Sequence, residues 1–564
     1  MLFSEFSRFL QDLENNSSRL KITDLLRELI AKIEDDEIDR ALYLSLGILG
    51  PNYEAKIINL AEKMMIRAIA LAFGVEQSFV LSKYREFGDL GEVSEHLSSK
   101  PETKLTIGEV YEKLLDIAND GGEGSQERKI QHIAELMLSL DSLSTKYLTR
   151  IPLGKLRLGF SEKTIIDALS QGNNNKLSEI EAVYNIRPDI GFIAKLVKTN
   201  KLKEVRPEIG IPVVPMLAQR LNSTSEMIKK MIKVAVEPKY DGLRIFIHYK
   251  KLSSGEEKIY IFTRNMNAIP LETFPELKEI GKYLNANSAI IDTEAVGVDF
   301  ERKSFLDFQT TIQRRRKHQV ADIKGSIPLQ FQAFDILYLD GRSLINETYL
   351  SRREILEKVV KNSNIIKIDE TTITDDPIVI NTKHLEYINK GLEGVVVKKA
   401  DSGYVSGRAG WNWVKMKESE GKIGRLPDTL DCIVMGYFFG KGKRAKFGIG
   451  KILVGIKYGD NILTLTKVGT GLTEDALVDI KSRIDGLKSD IKPKEYVAQK
   501  DLIPDVWAYP NIVVEIAADS LSRSVKHSLG LSLRFPRFIR YRFDKSAKEA
   551  TALEELKEIY KMQS

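Results

Sequence analysis

Apolar positions recur at helical spacing along the first two hundred residues and then give way to short alternating runs. Ile57, Leu60, Ala61, Met64, Ala68 and Leu71 predict one helix, with Pro51 near its start and Gly74 as its stop. Further helices are predicted over roughly 5–15, 21–34, 127–141 and 163–170. Glycine- and asparagine-rich loops fall at 120–125 and 171–175, and no fixed-period repeat is present. Pro207, Pro212 and Pro215 then crowd one stretch, which breaks helices and marks a boundary near 205–215.

From 216 to about 420 the pattern predicts strands at 233–237, 244–249, 258–264, 289–296, 329–339 and 394–399, with a helix at about 350–361. A polar stretch, Glu418-Ser419-Glu420-Gly421-Lys422, marks a second boundary and a plausible hinge. Beyond it, strands at 431–438, 450–457, 461–468 and 511–517 with glycine turns predict a small barrel, closed by a polar helix at 545–562. The expected architecture is multidomain: all-α over 1–210, α+β over 211–421, and an all-β barrel over 422–564.

Composition narrows the class. Of 564 residues, 43% are hydrophobic and 29% charged, which fits folded domains rather than a disordered chain. No apolar run approaches the ~20 residues that span a bilayer. The start, Met1-Leu2-Phe3-Ser4-Glu5, does not read as a secretory signal. The single cysteine, Cys432, excludes an internal disulfide framework and a Cys-based zinc site. An intracellular, cytoplasmic and nucleoid-associated monomer is expected. The net charge of +6 implies little, but basic residues cluster at Arg314-Arg315-Arg316-Lys317, at 441–446 and at 534–542. Such clusters suit a phosphate backbone, although any one of them would also serve as a solvated face. Gly154-Lys155-Leu156-Arg157-Leu158-Gly159 places two cations between glycines, which suits either close approach to phosphates or a basic turn.

The candidate chemistry centres on Glu237-Pro238-Lys239-Tyr240-Asp241-Gly242-Leu243-Arg244, a tight turn between two β runs. Alone, it reads as readily as a surface hairpin. Five further stretches place a charged or aromatic residue at the edge of a β run: Thr263-Arg264-Asn265, Asp292-Thr293-Glu294, Phe334-Asp335, Glu393 through Lys398, and Trp413 through Lys417. Together they supply what nucleotidyl transfer needs. A lysine that attacks the α-phosphorus must be neutral, and nearby cations depress an ammonium pKa. Arg244, Arg264, Lys398, Lys415 and Lys417 are such cations, and they would also neutralise phosphoryl charge. Asp241, Glu294 and Glu393 are oxygen donors for a divalent metal. Phe334 would stack on adenine, and Glu237 would accept from its amino group.

These stretches resemble the motifs of ATP-dependent DNA ligases, of the archaeal type similar to the eukaryotic replicative enzymes. The resemblance runs over nearly the whole length. Lys239-Tyr240-Asp241-Gly242 is similar to the motif that carries the adenylated lysine, and Pro215-Met216-Leu217-Ala218 to its lead-in. The stretches around Arg264, Glu294, Phe334, Glu393 and Lys415/Lys417 resemble the later motifs, and Gly407-Arg408 the basic approach to the last strand. Lys155 and Arg157 fall in a stretch similar to a DNA-contacting one. Pro504-Asp505-Val506-Trp507 and Ser532 through Phe538, with Arg534 and Arg537, resemble barrel motifs.

The resemblance implies a helical DNA-binding domain, an adenylation (nucleotidyltransferase) domain and an OB-fold. It implies ATP and Mg2+ (or another divalent metal such as Mn2+) as cofactors, and nicked duplex DNA as substrate. Lys239 would form a lysyl-AMP, AMP would pass to a 5′-phosphate, and the 3′-hydroxyl would then displace AMP, in replication, repair and recombination. Arg534 and Lys545 are candidates to orient pyrophosphate. Where some eukaryotic relatives carry an acid that helps hold a second metal, Asn267 stands here, so that site is not expected. A sliding-clamp (PCNA-type) partner is a further expectation, although no convincing clamp-binding peptide is legible near the N-terminus. Rival readings are an mRNA-capping guanylyltransferase, an NAD-dependent ligase and a DNA-binding scaffold without catalysis. The long helical segment, the single cysteine and the presence of Lys239, respectively, weigh against them.

Overall fold

The computed structural model describes residues 1–99, 104–172, 176–202, 205–299, 304–306, 328–408, 410–417, 429–524 and 526–561. The chain forms two compact units, Met1–Ala61 with Pro101–Glu418, and Glu62–Lys100 with Ser419–Ser564. This division differs from the three consecutive segments read from the sequence. Residues 62–100 group with the C-terminal region, and no break in contacts separates the remaining helices from the middle strands.

The first unit begins with helices whose buried residues repeat every three or four positions. Phe3–Glu14 buries Phe3, Phe6, Leu10 and Leu13 along one stripe. Helix Ile107–Asn119 starts at a capping box, where Thr106 accepts from the Glu109 amide and the Glu109 carboxylate accepts from the Thr106 amide. The helix predicted from Ile57 starts later, at Glu62. Ala55 and Asn59 have left-handed backbones, at φ 52° and 54°, which no continuous right-handed helix admits. Ile57 and Leu71 are correspondingly exposed, not core.

The middle of the chain builds two antiparallel sheets. The first holds β2 (Leu243–Lys251), β3 (Glu257–Thr263), β4 (Ser288–Asp299) and β5 (Leu329–Leu339), in the spatial order β5-β4-β2-β3, with β6 (Ile366–Ile368) added in parallel to β5. The second holds β7 (Thr372–Thr374), β1 (Val234–Lys239), β8 (Gly394–Lys399) and β9 (Trp413–Lys417), in that order. Alternate side chains of the first sheet bury Ile245, Ile247, Ile291, Phe331 and Ile336 in one core. Val234, Val236, Val395, Val397 and Val414 of the second pack with helix Pro377–Asn389, which the periodicity did not predict. Each such aliphatic or aromatic side chain contributes roughly 1.5–3 kcal/mol on burial. Phe246, Phe262, Ile290, Leu337 and Trp413 form a further cluster that draws on strands of both sheets.

In the second unit, β10 (Leu430–Phe438), β11 (Lys451–Tyr458) and β12 (Asn461–Val468) form a meander that curls through β13 (Val513–Ala517) to β14 (Arg537–Tyr541). A bulge between Val434 and Gly436 lets β10 pair on both sides of its bend. At Gly436 a Cβ would sit 2.2 Å from the Val506 carbonyl oxygen, so only glycine fits. The domain is β-rich rather than purely β. Helices Glu474–Asp485 and Leu553–Lys561 cover its core, and the second is shorter than the 545–562 read from polarity. Among the described residues no single helix is long and apolar enough to cross a membrane.

Candidate active site

Strand β1 ends at Lys239, and the chain turns through Tyr240-Asp241-Gly242 into β2. The turn lies hard against β4. A Cβ at Gly242 would come within 2.5 Å of the Ala295 carbonyl oxygen, so glycine is needed for the close approach. Both sheets therefore present side chains to one cleft of about 500 Å³. Its lining includes Glu237, Lys239, Arg244, Arg264, Glu294, Phe334, Lys398 and Lys415.

At the outer end, Lys239 forms an ion pair with Glu393 Oε2. Lys417 reaches the same oxygen at 3.0 Å. Burial opposes ionisation of Glu393, but the charges of Lys239 and then Lys417 outweigh it and hold the carboxyl below its ordinary range. Asp241 is hydrogen-bonded to Glu393, and its carboxyl is pushed up, first by burial and then by the Glu393 charge. Lys415 sits among cations: burial lowers its pKa, reinforced by Lys239, Lys417 and Arg264. Arg264 is exposed at the end of β3. This crowd of ammonium and guanidinium groups beside an acid pair is suited to a polyphosphate.

Glu294 lies opposite Arg244 in the β2–β4 register. Burial pushes its carboxyl up to about 7, against the opposing pull of Lys239 and Arg244. Arg244 forks onto Asp292, with Nε to Oδ1 at 3.0 Å and Nη2 to Oδ2 at 2.6 Å, and donates to the Met216 carbonyl at 2.7 Å. The three acids read as metal ligands do not converge. Asp241 and Glu393 pair with each other, and no cluster of three acid, histidine or cysteine side chains suited to a metal occurs among the described residues. The pair still offers the hard oxygen donors that a magnesium ion shares with substrate phosphates.

At the inner end, Lys398 Nζ meets Glu237 Oε2 at 2.6 Å, and both side chains are almost fully buried, at 1% and 2% exposure. Tyr349 and Thr371 donate to the other oxygen, Oε1. Lys398 also lies 4.8 Å from the Phe334 ring centroid and 4.4 Å from that of Trp413, two rings set edge to face. Phe334 thus presents an aromatic wall to the cleft.

The family model described as "ATP dependent DNA ligase domain" matches residues 215–417, the segment that builds this cleft. Models described as "DNA ligase N terminus" and "ATP dependent DNA ligase C terminal region" match 2–170 and 445–545. The chain belongs to the ATP-dependent DNA ligase family. A "Probable DNA ligase" of Dictyoglomus turgidum is 38% identical over 100% of this chain and 98% of its own length. The "DNA ligase" of Sulfolobus acidocaldarius is 35% identical, covering 99% and 98%. "DNA ligase 1" of Methanosarcina mazei is 34% identical, covering 99% of each. A solved structure called "Pmar-Lig_Pre." shares the fold, with a TM-score of 0.55 at 18% identity over 95% of this chain and 99% of that one. The activity is that of an ATP-dependent DNA ligase, which seals nicks in duplex DNA through enzyme–AMP and DNA–adenylate intermediates.

Arg408 falls on a short strand pairing Gly407–Arg408 with Met216–Leu217, and its side chain lies outside the described residues. Arg314 and Arg315, and the hinge stretch at 418–424, also lie outside them. In the helical region Leu156 and Leu158 are buried and anchor their turn, while Arg157, at φ 61°, is held outward and exposed, and Lys155 is half-buried. Arg534 is exposed at the end of a strand; Arg537 pairs with Asp519 at 3.2 Å. Lys545 is engaged by Asp431 at 2.6 Å.

Sequence reasoning names Lys398 only as one cation among several, although it is the partner of Glu237. It names Asp292 without finding its pairing with Arg244, and it misses Tyr349, Asp369 and Tyr404, whose hydroxyl donates to Asp292 Oδ2 at 3.2 Å. A charged residue inside an apolar strand run, as at Asp292 and Lys398, is the signal that marks each as paired within the fold.

Proposed function

We propose that Lys239 is the nucleophile of this ligase. Its Nζ would attack the α-phosphorus of ATP, expelling pyrophosphate and leaving AMP on the lysine through a P–N bond. The observation that carries this reading is the position of Lys239 at the cleft mouth, ion-paired to Glu393 and ringed by Lys415, Lys417 and Arg264. To attack, the amine must give up its proton and leave Glu393. The surrounding cations would take up charge on the phosphoryl oxygens. Phe334 and Glu237 would hold the adenine, and Arg244, Arg264, Glu294, Arg408, Lys415 and Lys417 the ribose and phosphates. Glu393 and Asp241 would hold Mg2+ or Mn2+. A divalent ion bound there would supply Lewis-acid stabilisation of phosphoryl charge.

DNA would be held by Lys155, Arg157, Arg314, Arg315, Arg534 and Arg537. We assign the enzyme to replication, repair and recombination, acting inside the cell at the nucleoid as a monomer with a PCNA-type clamp as partner. We assign the DNA-binding, adenylation and OB-fold domains to 1–210, 211–421 and 422–564.

Intact mass of the protein after ATP and Mg2+, beside Lys239→Ala, tests the reading. Gain of one AMP on the wild type alone is expected, blocked by EDTA and discharged by nicked DNA. Absence of an adduct from wild-type protein already stripped of carried-over AMP would overturn it. GTP in place of ATP as the preferred donor would favour a capping-type enzyme.

A further inference from the structure

The two sheets of the cleft are bridged at its inner end by one short segment. Strand β6 runs parallel to β5, with Ile368 opposite Ala333, and β7 pairs with β1, with Thr372 opposite Val236. The linking residues 369–371 therefore pass from the strand beside the one that carries Phe334 to the strand beside the one that carries Glu237. The Asp369 amide donates to the Ala333 carbonyl at 3.0 Å, and its own carbonyl accepts from Arg353 Nη2 at 2.5 Å. Thr371 donates to Glu237. The backbone of Asp369 is thus pinned one residue from the aromatic wall.

Its side chain lines the cleft, is 4% exposed, and its Oδ1 is buried with no hydrogen-bond partner among the described residues. An unsatisfied buried acceptor is costly, so such an atom at a ligand cleft marks a partner that arrives with the ligand. Glu237 is differently placed. Tyr349 and Thr371 occupy its Oε1 and Lys398 its Oε2. The acid that the motif suggests as sole reader of the base is already engaged, while an acid that no motif suggests is open.

We propose that Asp369 is a specificity residue of the adenylation step, its Oδ1 accepting a hydrogen bond from the exocyclic amino group of the donor's adenine. This rests on the reading of the cleft as the ATP site with the base against Phe334. Burial, reinforced by the charge of Glu237 and opposed by Lys398 and Arg353, pushes the Asp369 carboxyl well above its usual range. A carboxyl of that kind sits without a dedicated cation and still offers a carbonyl oxygen to an N–H donor. Discrimination by a buried group of this type is strong, because an analogue without the hydrogen bond leaves the acceptor unpaired.

The test measures lysyl-nucleotide formation by the full chain with ATP and with purine riboside triphosphate, which lacks the amino group. Wild type is expected to show a KM about tenfold lower for ATP than for the analogue. Asp369→Ala should raise the KM for ATP about tenfold, leave that for the analogue within twofold, and change kcat little, so that the preference collapses. Asp369→Asn keeps an oxygen acceptor and should restore the preference. Equal loss with both nucleotides in the alanine variant, with an unshifted melting temperature or not, would overturn the proposal, as would an unchanged preference. If wild type forms no adduct with either nucleotide, the reading of the cleft fails instead.

Discussion

Lys398 and Glu237 face each other at 2.6 Å on adjacent strands, both nearly out of reach of water. Tyr349, Thr371 and the rings of Phe334 and Trp413 pack around the pair at the inner end of the cleft. A charge pair so buried is tolerable only while both members remain, because each alone would bear its full desolvation cost.

Lys398→Met is therefore expected to destabilise the first unit by about 3–5 kcal/mol, the cost of an orphaned buried charge. Lys398→Met combined with Glu237→Gln should recover most of that loss, since neither charge then remains. Thermal and denaturant unfolding of the three variants beside wild type checks this. Simple additivity of the single changes would show that the pair is not coupled.

As the proposed nucleophile, Lys239 is expected to act only in enzyme adenylation. Lys239→Ala should form no AMP adduct and seal no nick from ATP, yet should still seal a nick whose 5′-phosphate is already adenylated. A gel assay on the pre-adenylated duplex separates the two steps, and loss of both activities would assign Lys239 a second role.

His248 gives the pH dependence. It is fully buried on β2, its Nδ1 accepts from the Gly210 amide at 3.2 Å, and burial depresses its pKa to about 3. Unfolded, the ring protonates near its ordinary value of about 6.5. Between those values the unfolded chain binds the extra proton, so stability falls as pH drops through the window and is fully present above it. The slope from this one group approaches about 1.4 kcal/mol per pH unit. His248→Asn, whose side-chain oxygen can take the same amide, should flatten stability measured from pH 6.5 down to 4.

Arg157 projects from a turn whose leucines are buried and whose backbone is left-handed at that residue. Arg157→Ala should weaken binding to nicked and intact duplexes alike, lower the salt slope by about one, and leave adduct formation unchanged. Fluorescence anisotropy across a salt series, run beside the mass assay, reads both effects.

Much of the cleft is legible along the chain. Lys239, Gly242 and Arg244 fall where β runs end and begin, Glu294 interrupts an apolar run, and six such stretches in order point to one reaction. The helical, mixed and β-rich segments are likewise written in the change of period from 3.6 to 2. The sequence by itself determines which residues can do the chemistry and which strands carry them.

What tertiary structure alone decides is which of those residues meet. Asp241 and Glu393 pair although 152 positions separate them, leaving Glu294 apart, and Lys398 neutralises Glu237 rather than a phosphate. Asp369 reads as one acid in a charged loop until β6 and β7 join different sheets and carry it to the inner end of the cleft. Residues 62–100 read as one more part of the helical region until long-range contacts group them with the C-terminal region. Local pattern specifies period and turn through neighbouring residues. Sheet order and long-range pairing come from burial summed over the whole chain, which no short window of sequence contains.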